Sequence, residues 1–345
     1  MKRSTAATLL GTGAGVAAFA AAMLARSRTA RNAFHGKTVV ITGGSRGLGL
    51  ALARELAAKG ARLVLAAREE EELLEARRRL IAERSVQSDT DVLCVACDLT
   101  RSEEAERLIA EATRHFGQVD ILINNAGVIH VGPIEEQSTE MYRDAMASNF
   151  FAVLYTTYAV LPQMLARRDG SIANIASIGG KIPVPHLAPY VASKFAAVGF
   201  SETLHAELRS KGVQVTTVNP GLMRTGSYPN AVVTSRKEEE YRWFRISASL
   251  PGVAHSASGA ARAIVRAIAE GRAEIEIGID AYLAARLHGL LPSATQFAGS
   301  LAERAILPSA GGSRRAEKGT NIKAPEGLWK SWSRILTERF NQPEA

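Results

Sequence analysis

Short apolar runs alternate with longer amphipathic stretches through most of the chain. Lys37–Thr42 reads as a strand that enters a glycine-rich turn, and a helical pattern then continues to about Lys59. Ala61–Ala67 predicts a second strand, Glu69–Glu83 a charged helix and Val92–Cys97 a third strand. A helix from about Ser102 to Phe116, a strand at Ile121–Asn125 and a long helical stretch from about Thr139 to Arg167 come next. The series continues with a strand at Ser171–Ala176, a helix over Tyr190–Lys211 and a strand at Val213–Asn219. It ends with a helix over Ser258–Glu270 and a strand at Glu274–Ile279. Strands this short and continuously apolar are buried on both faces, and helices separate them throughout. The pattern predicts an α/β fold: a doubly wound parallel sheet with helices on both faces.

The two ends of the chain depart from this rhythm. Ser4–Ala25 holds no charge; Lys2 and Arg3 precede it, and Arg26, Arg28 and Arg31 lie just beyond it. The run reaches the roughly 20 residues a spanning helix needs, although alanine dominates it. Residues 1–35 are therefore read as an N-terminal hydrophobic segment. A membrane anchor is favoured over a cleavable signal peptide ending near Ala20-Ala21-Ala22 and over a soluble leader. The flanking cations weakly favour a cytoplasmic location for the rest of the chain. Residues 36–280 hold the strand–helix alternation and are expected to form one domain, and residues 281–345 a helical C-terminal extension. In that extension Tyr282–Leu291 and Phe297–Leu307 are apolar-rich and split by Pro292, and Ser309–Lys323 reads as a flexible linker. Trp329, Trp332, Leu336 and Phe340 fall on one helical stripe, which packs into a core or meets a membrane surface. Residues 226–255 are expected to form a lid, and within them Arg236–Arg245 mixes charge with aromatics, to close over a ligand or to pack on the domain as an amphipathic helix.

Composition narrows the class. With 46% hydrophobic and 22% charged residues in 345, the chain has an ordinary globular balance, which excludes a disordered, collagen-like or coiled-coil protein. The net charge of +8 is spread along the chain and no nucleic-acid motif accompanies it, so no nucleic-acid partner is expected. The only cysteines, Cys94 and Cys97, read CxxC, a spacing that suggests zinc or a redox pair. Both lie in a predicted strand, where residues three apart face opposite sides. They are expected to pack in the core, and no metal site is expected.

Two segments carry chemistry. Gly43-Gly-Ser-Arg-Gly-Leu-Gly49 lies between a strand and a helix, the context in which a glycine-rich turn cradles a dinucleotide pyrophosphate at a helix N-terminus. This makes the sheet Rossmann-like. Tyr190 and Lys194 stand at i and i+4 on a predicted helix and share a face. A phenol titrates at about 10 and is a poor base at neutral pH. A fixed cation beside it lowers that value and lets it exchange a proton with a substrate oxygen. Ser177 ends a predicted strand, at the carboxyl edge where ligands bind.

The chain resembles the short-chain dehydrogenase/reductase family in its single-domain form. The resemblance covers about residues 36–280. It rests on Thr42-Gly-Gly-Ser-Arg-Gly-Leu-Gly49, Asp98, Asn124-Asn-Ala-Gly127, Asn149, Ser177, Tyr190-x-x-x-Lys194 and Pro220-Gly221 with Thr225, all in family order and spacing. It implies that Tyr190 is the general acid or base, that Lys194 tunes it and holds the nicotinamide ribose, and that Ser177 orients the carbonyl. Asn149 is implied to hold a water that links Lys194 to solvent. Gly43, Ser45, Arg46, Gly47, Leu48 and Gly49 are implied to bind the cofactor, with Asp98 and Leu99 at the adenine. Asn125, Ala126 and Gly127 are implied along the adenosine side, and Pro220, Gly221 and Thr225 at the nicotinamide end.

The second predicted strand ends Leu65-Ala-Ala-Arg68, with no carboxylate to hold a ribose diol. Arg46 and Arg68 instead suit a ribose 2′-phosphate, because guanidinium binds phosphate through charge-assisted, often bidentate bonds. NADP is expected over NAD. The reaction expected is hydride transfer between nicotinamide and a carbonyl or secondary alcohol, on a hydrophobic or lipid-like substrate. The alternative is a cofactor-binding sensor or scaffold without turnover. Family members often pair through helices equivalent to those beginning near Thr139 and Tyr190, which implies a homo-oligomer.

Overall fold

The computed structural model describes residues 33–322 except 84, 87, 226–227 and 250–253. The N-terminal apolar run and the tryptophan stripe near the C-terminus lie outside the described residues. Among the described residues, no helix is long and apolar enough to cross a membrane.

Strand and helix alternate through β1 (Thr38–Thr42), α1 (Gly47–Ala57), β2 (Arg62–Ala67), α2 (Glu70–Ala82), β3 (Val92–Ala96), α3 (Ser102–Phe116) and β4 (Ile121–Asn124). The short β5 (His130–Val131) leads to α4 (Thr139–Met146), α5 (Ala152–Arg167), β6 (Gly170–Ile175), α6 (Ala188–Leu208) and β7 (Val213–Pro220). Beyond these come β8 (Met223–Arg224), β9 (Val232–Ser235), α7 (Lys237–Ser249), β10 (His255–Ser256), α8 (Ala257–Ala269) and β11 (Glu274–Ile277). The extension holds α9 (Ile279–Leu290), α10 (Pro292–Ile306) and β12 (Ser313–Lys318).

Seven strands form one sheet in the order β11-β7-β6-β4-β1-β2-β3, and every neighbouring pair is parallel. Side chains alternate across the strands. Val39, Ile41, Leu63 and Leu65 pack with α1, α2 and α8 on one face. Val40, Val64 and Ala66 pack with α3, α5 and α6 on the other. The strand order reverses between β1 and β4, and the crevice at their carboxyl ends is where such sheets bind ligands. Cys94 packs against the first layer and Cys97 lies in the second, so the thiols do face opposite sides of the sheet. Burial pushes Cys94 up to about 11 and Cys97 up to about 12.

One sequence expectation is refined and two need correction. The helical stretch expected from Thr139 to Arg167 is present, with Ala147–Phe151 as a π-helical turn between α4 and α5. The extra residue in that turn carries Asn149 inward, and Asn149 is fully buried. The last sheet strand stops at Ile277, not Ile279. Gly278 adopts φ +112° and turns the chain, and Ile279 opens α9 with its side chain exposed. Ser309–Lys323 contains ordered structure rather than a linker alone. Within it β12 pairs antiparallel with β9, which also pairs with β5. The Gly311 and Gly312 N–H groups donate to Glu136 Oε1 at 2.7 and 2.8 Å, and Lys237 Nζ donates to Glu317 at 2.7 Å. An edge strand covers no core, so its polar residues give no apolar alternation to read.

The segment expected to form a lid supplies β9 and α7 among its described residues. Tyr228, Val233, Tyr241 and Phe244 bury against Val131, Leu187 and Ile322, and Tyr190 packs on this cluster.

Candidate active site

The glycine-rich turn leaves backbone bare where β1 meets α1. Gly43 and Gly47 take φ +62° and +56°, which favours glycine. A Cβ on Gly49 would lie 2.0 Å from the Gly43 carbonyl oxygen and 2.8 Å from Asn125 Nδ2. Glycine at these positions lets the turn fold closely onto the start of α1, the strand–turn–helix context in which a helix N-terminus holds a pyrophosphate. Leu48, between these glycines, points into the core. Ser45 is buried, and its hydroxyl donates to Glu72 Oε2 at 3.0 Å. Arg46 ion-pairs with the same carboxylate.

The tip of β4 is tied to the tip of β1 across the strand-order reversal. The Asn125 and Ala126 N–H groups donate to Thr42 Oγ1 at 2.9 and 3.0 Å. Asn125 Nδ2 donates to the carbonyls of Thr42 and Gly43 at 3.0 and 3.1 Å. Arg68 lies exposed just past β2. Asp98, beyond β3, is exposed and its Oδ1 accepts from the Thr100 hydroxyl at 2.9 Å, while Leu99 is buried. Pro220 ends β7, and the Gly221 N–H donates to the Ile277 carbonyl at 3.0 Å. Thr225 is buried a few residues further on. The sheet therefore brings these predicted residues to one edge.

Asn149, Ser177, Tyr190 and Lys194, the residues expected to carry the chemistry, gather beside the glycine turn. Asn149 Oδ1 accepts the Val128 N–H at 2.8 Å, and its Nδ2 donates to the Val128 carbonyl at 3.0 Å and to Ser193 Oγ at 2.9 Å. Ser193 Oγ donates to the Tyr190 carbonyl at 2.7 Å, which links the π-turn to α6. Lys194 Nζ is buried, donates to the Ile175 carbonyl at 2.9 Å and lies 5.8 Å from the Tyr190 ring centroid. A Cβ on Gly127 would stand 2.5 Å from Asn149 Oδ1 and 3.7 Å from Lys194 Nζ. Glycine there lets the β4 loop lie against both. Ser177 is buried, accepts the Gly179 N–H at 3.0 Å and stands by the Tyr190 phenol, whose titration it lowers.

The electrostatics correct one expectation. Proximity to Lys194 predicts a lowered Tyr190 pKa. Burial instead raises the phenol, and Ser177 pulls it partly back. Burial also lowers Lys194 to about 8 from 10.5. A low-dielectric site disfavours both charges. A lysine lowered in the folded state binds fewer protons than in the unfolded chain as pH rises from about 8 towards 10.5, so its destabilising contribution shrinks over that window. Lys194→Met is expected to stabilise the fold by on the order of 1–3 kcal/mol at pH 7 and by less at pH 10. Thermal unfolding of both proteins at the two pH values checks this; an equal gain at each contradicts it.

Several supporting residues carry no motif. A buried polar chain runs beneath the catalytic set. Thr156 Oγ1 donates to Asn124 Oδ1 at 2.7 Å, Asn124 Nδ2 to Asn174 Oδ1 at 2.9 Å and Asn174 Nδ2 to Ser201 Oγ at 2.9 Å. The Thr217 hydroxyl donates to the same Ser201 oxygen at 2.7 Å. Asn124 and Asn174, polar residues near the ends of apolar strands, are the sequence signal for this polar chain. On the α7 side, His186 Nδ1 lies 2.9 Å from Glu240, which also accepts Trp243 Nε1 at 2.7 Å. The His186–Glu240 contact fastens α7 to the loop entering α6.

The family model for short chain dehydrogenases matches residues 37–234. Dehydrogenase/reductase SDR family member 7B of Bos taurus is 40% identical over 195 residues, 56% of this chain and 60% of that protein. The chain thus spans about three fifths of this relative. A putative ketoacyl reductase of granaticin polyketide synthase from Streptomyces violaceoruber is 40% identical over 188 residues, 54% of this chain and 67% of that protein. A short-chain dehydrogenase of Burkholderia phymatum, solved in complex with NAD, superposes with TM-score 0.69 at 28% identity, covering 76% of this chain and 96% of that one. One from Streptomyces avermitilis gives TM-score 0.65 at 28% identity, over 78% and 98%. By sequence and by fold, this chain belongs to the short-chain dehydrogenase/reductase family of NAD(P)-dependent oxidoreductases.

Proposed function

We propose that the protein interconverts a ketone and a secondary alcohol with NADP(H). The observation that carries this reading is the convergence of Asn149, Ser177, Tyr190 and Lys194 beside the bare glycine turn, at one edge of the sheet. Bound nicotinamide supplies or accepts the hydride. Ser177 holds the substrate oxygen, and Tyr190 gives it a proton in reduction or removes one in oxidation. Lys194, when charged, favours the phenolate, and Asn149 keeps the π-turn locked to α6. The apolar lid cluster that Tyr190 packs on supports a hydrophobic or lipid-like substrate. Incubation with NADPH and a panel of aliphatic and cyclic ketones tests the reading by loss of NADPH absorbance. Tight NADPH binding without turnover of any ketone would favour a sensor instead.

Arg46 and Arg68 favour the phosphorylated cofactor. Charge-assisted hydrogen bonds contribute roughly 1.5–3 kcal/mol each. Arg68→Ala is therefore expected to weaken NADPH by about tenfold to a hundredfold and to leave NADH nearly unchanged. Calorimetric Kd values for both cofactors check this; equal losses for the two contradict it.

The uncharged run Ser4–Ala25 and the cations after it support attachment to a membrane with the catalytic unit on the cytoplasmic face. The exposed Phe151, Tyr158 and Phe195 on the π-turn, α5 and α6 support a homo-oligomer built on those elements.

A further inference from the structure

Two elements meet at the corner of the crevice beside β2: the glycine turn and the first turn of α2, which follows Arg68 in the chain. That first turn is densely acidic, with Glu70, Glu71 and Glu72 in sequence after Glu69. One of these carboxylates reaches back across the crevice. Glu72 accepts the Ser45 hydroxyl at 3.0 Å on Oε2 and pairs with Arg46 on Oε1. Ser45 is buried, and Arg46 and Glu72 are each 28% exposed. The donors gathered on Glu72, a hydroxyl and a guanidinium, are the set that binds a phosphate oxygen cluster. An anion of this protein already holds them.

We propose that Glu72 is a specificity-determining residue that competes with the cofactor's ribose 2′-phosphate for Arg46 and Ser45. The inference rests on the NADP reading above. NADPH binding then requires exchange of one anion for another on the same donors, whereas NADH carries no 2′-phosphate and requires none. The carboxylate also stands where a second negative charge is repelled. Glu72 therefore narrows the preference for NADPH that two arginines alone would create, and keeps the basic corner neutralised in the absence of the phosphorylated cofactor.

Glu72→Gln tests this, with Kd for NADPH and for NADH measured by calorimetry. NADPH is expected to tighten by about three- to tenfold, and NADH to change by less than about twofold. The gain for NADPH is expected to vanish when Glu72→Gln is made in Arg46→Ala. Glu72→Asp, which keeps the charge on a shorter stem, is expected to fall between the two and covers any folding defect of the amide. Weaker NADPH binding in Glu72→Gln would show that Glu72 orients Arg46 for the cofactor and would overturn the proposal. A loss confined to NADH would overturn it too, by assigning Glu72 to the ribose hydroxyls. If Arg46→Ala alone left NADPH unchanged, the NADP reading itself would fail, a different result from either.

Discussion

Tyr190→Phe is expected to lower kcat by about 10²- to 10⁴-fold, the contribution of one positioned acid–base group. The NADPH Kd is expected to stay within about tenfold of wild type, because the phenol adds at most one hydrogen bond there. The substitution removes one oxygen and keeps the ring that packs on the lid cluster. Folding should survive, since the phenol's neighbour Ser177 accepts the Gly179 N–H and is not left orphaned. The phenol is raised by burial, so as a neutral donor it suits ketone reduction. The oxidation direction needs the phenolate and is expected to rise with pH. Steady-state kinetics in both directions, with calorimetry for the cofactor, check this. Turnover equal to wild type would remove Tyr190 from the chemistry, and a matching loss in cofactor affinity would make it a structural residue.

Much of the fold is legible in the sequence because burial on both faces of a parallel sheet writes a simple signal. Val39, Val40 and Ile41 are all fully buried, so β1 reads as a continuous apolar run. Tyr190 and Lys194 are legible for a different reason: helical spacing is local, and the reacting pair sits on one helix. The features that escape such reading are non-local. The inward step at Asn149 depends on a π-turn whose partners, Val128 and Ser193, are distant in sequence. The strand at Ser313–Lys318 exists because β9 offers an unpaired edge and Glu136 offers a carboxylate, and neither can be read from the strand itself. The sign of the Tyr190 shift is hidden in the same way. Spacing shows that a cation is near, while burial, which decides the sign, emerges only in three dimensions. Glu72 is one of four successive glutamates in sequence, and only the fold selects it for Arg46.

The cradle at Gly49 is where a single methyl group should do the most damage to cofactor binding. The Cβ of Gly49→Ala would meet the Gly43 carbonyl oxygen at 2.0 Å and its carbon at 2.8 Å. These are backbone atoms of a turn already held by Asn125 Nδ2 at the Gly43 carbonyl, so no flexible side chain can yield. Either α1 shifts away from the turn or the turn moves off β4. Both displace the α1 N-terminus from the crevice, and a displacement of about 1 Å is enough to cost on the order of a hundredfold. Overpacking of this kind typically costs about 1–3 kcal/mol, which lowers Tm by several degrees in a domain of this size. Gly49→Ala is therefore expected to fold with a reduced Tm and to weaken NADPH and NADH alike by about a hundredfold. That equal loss separates it from Arg68→Ala, which acts on the phosphorylated cofactor alone. Calorimetry with both cofactors and a thermal melt check the prediction; wild-type affinity in Gly49→Ala would mean that the glycine turn does not carry the pyrophosphate.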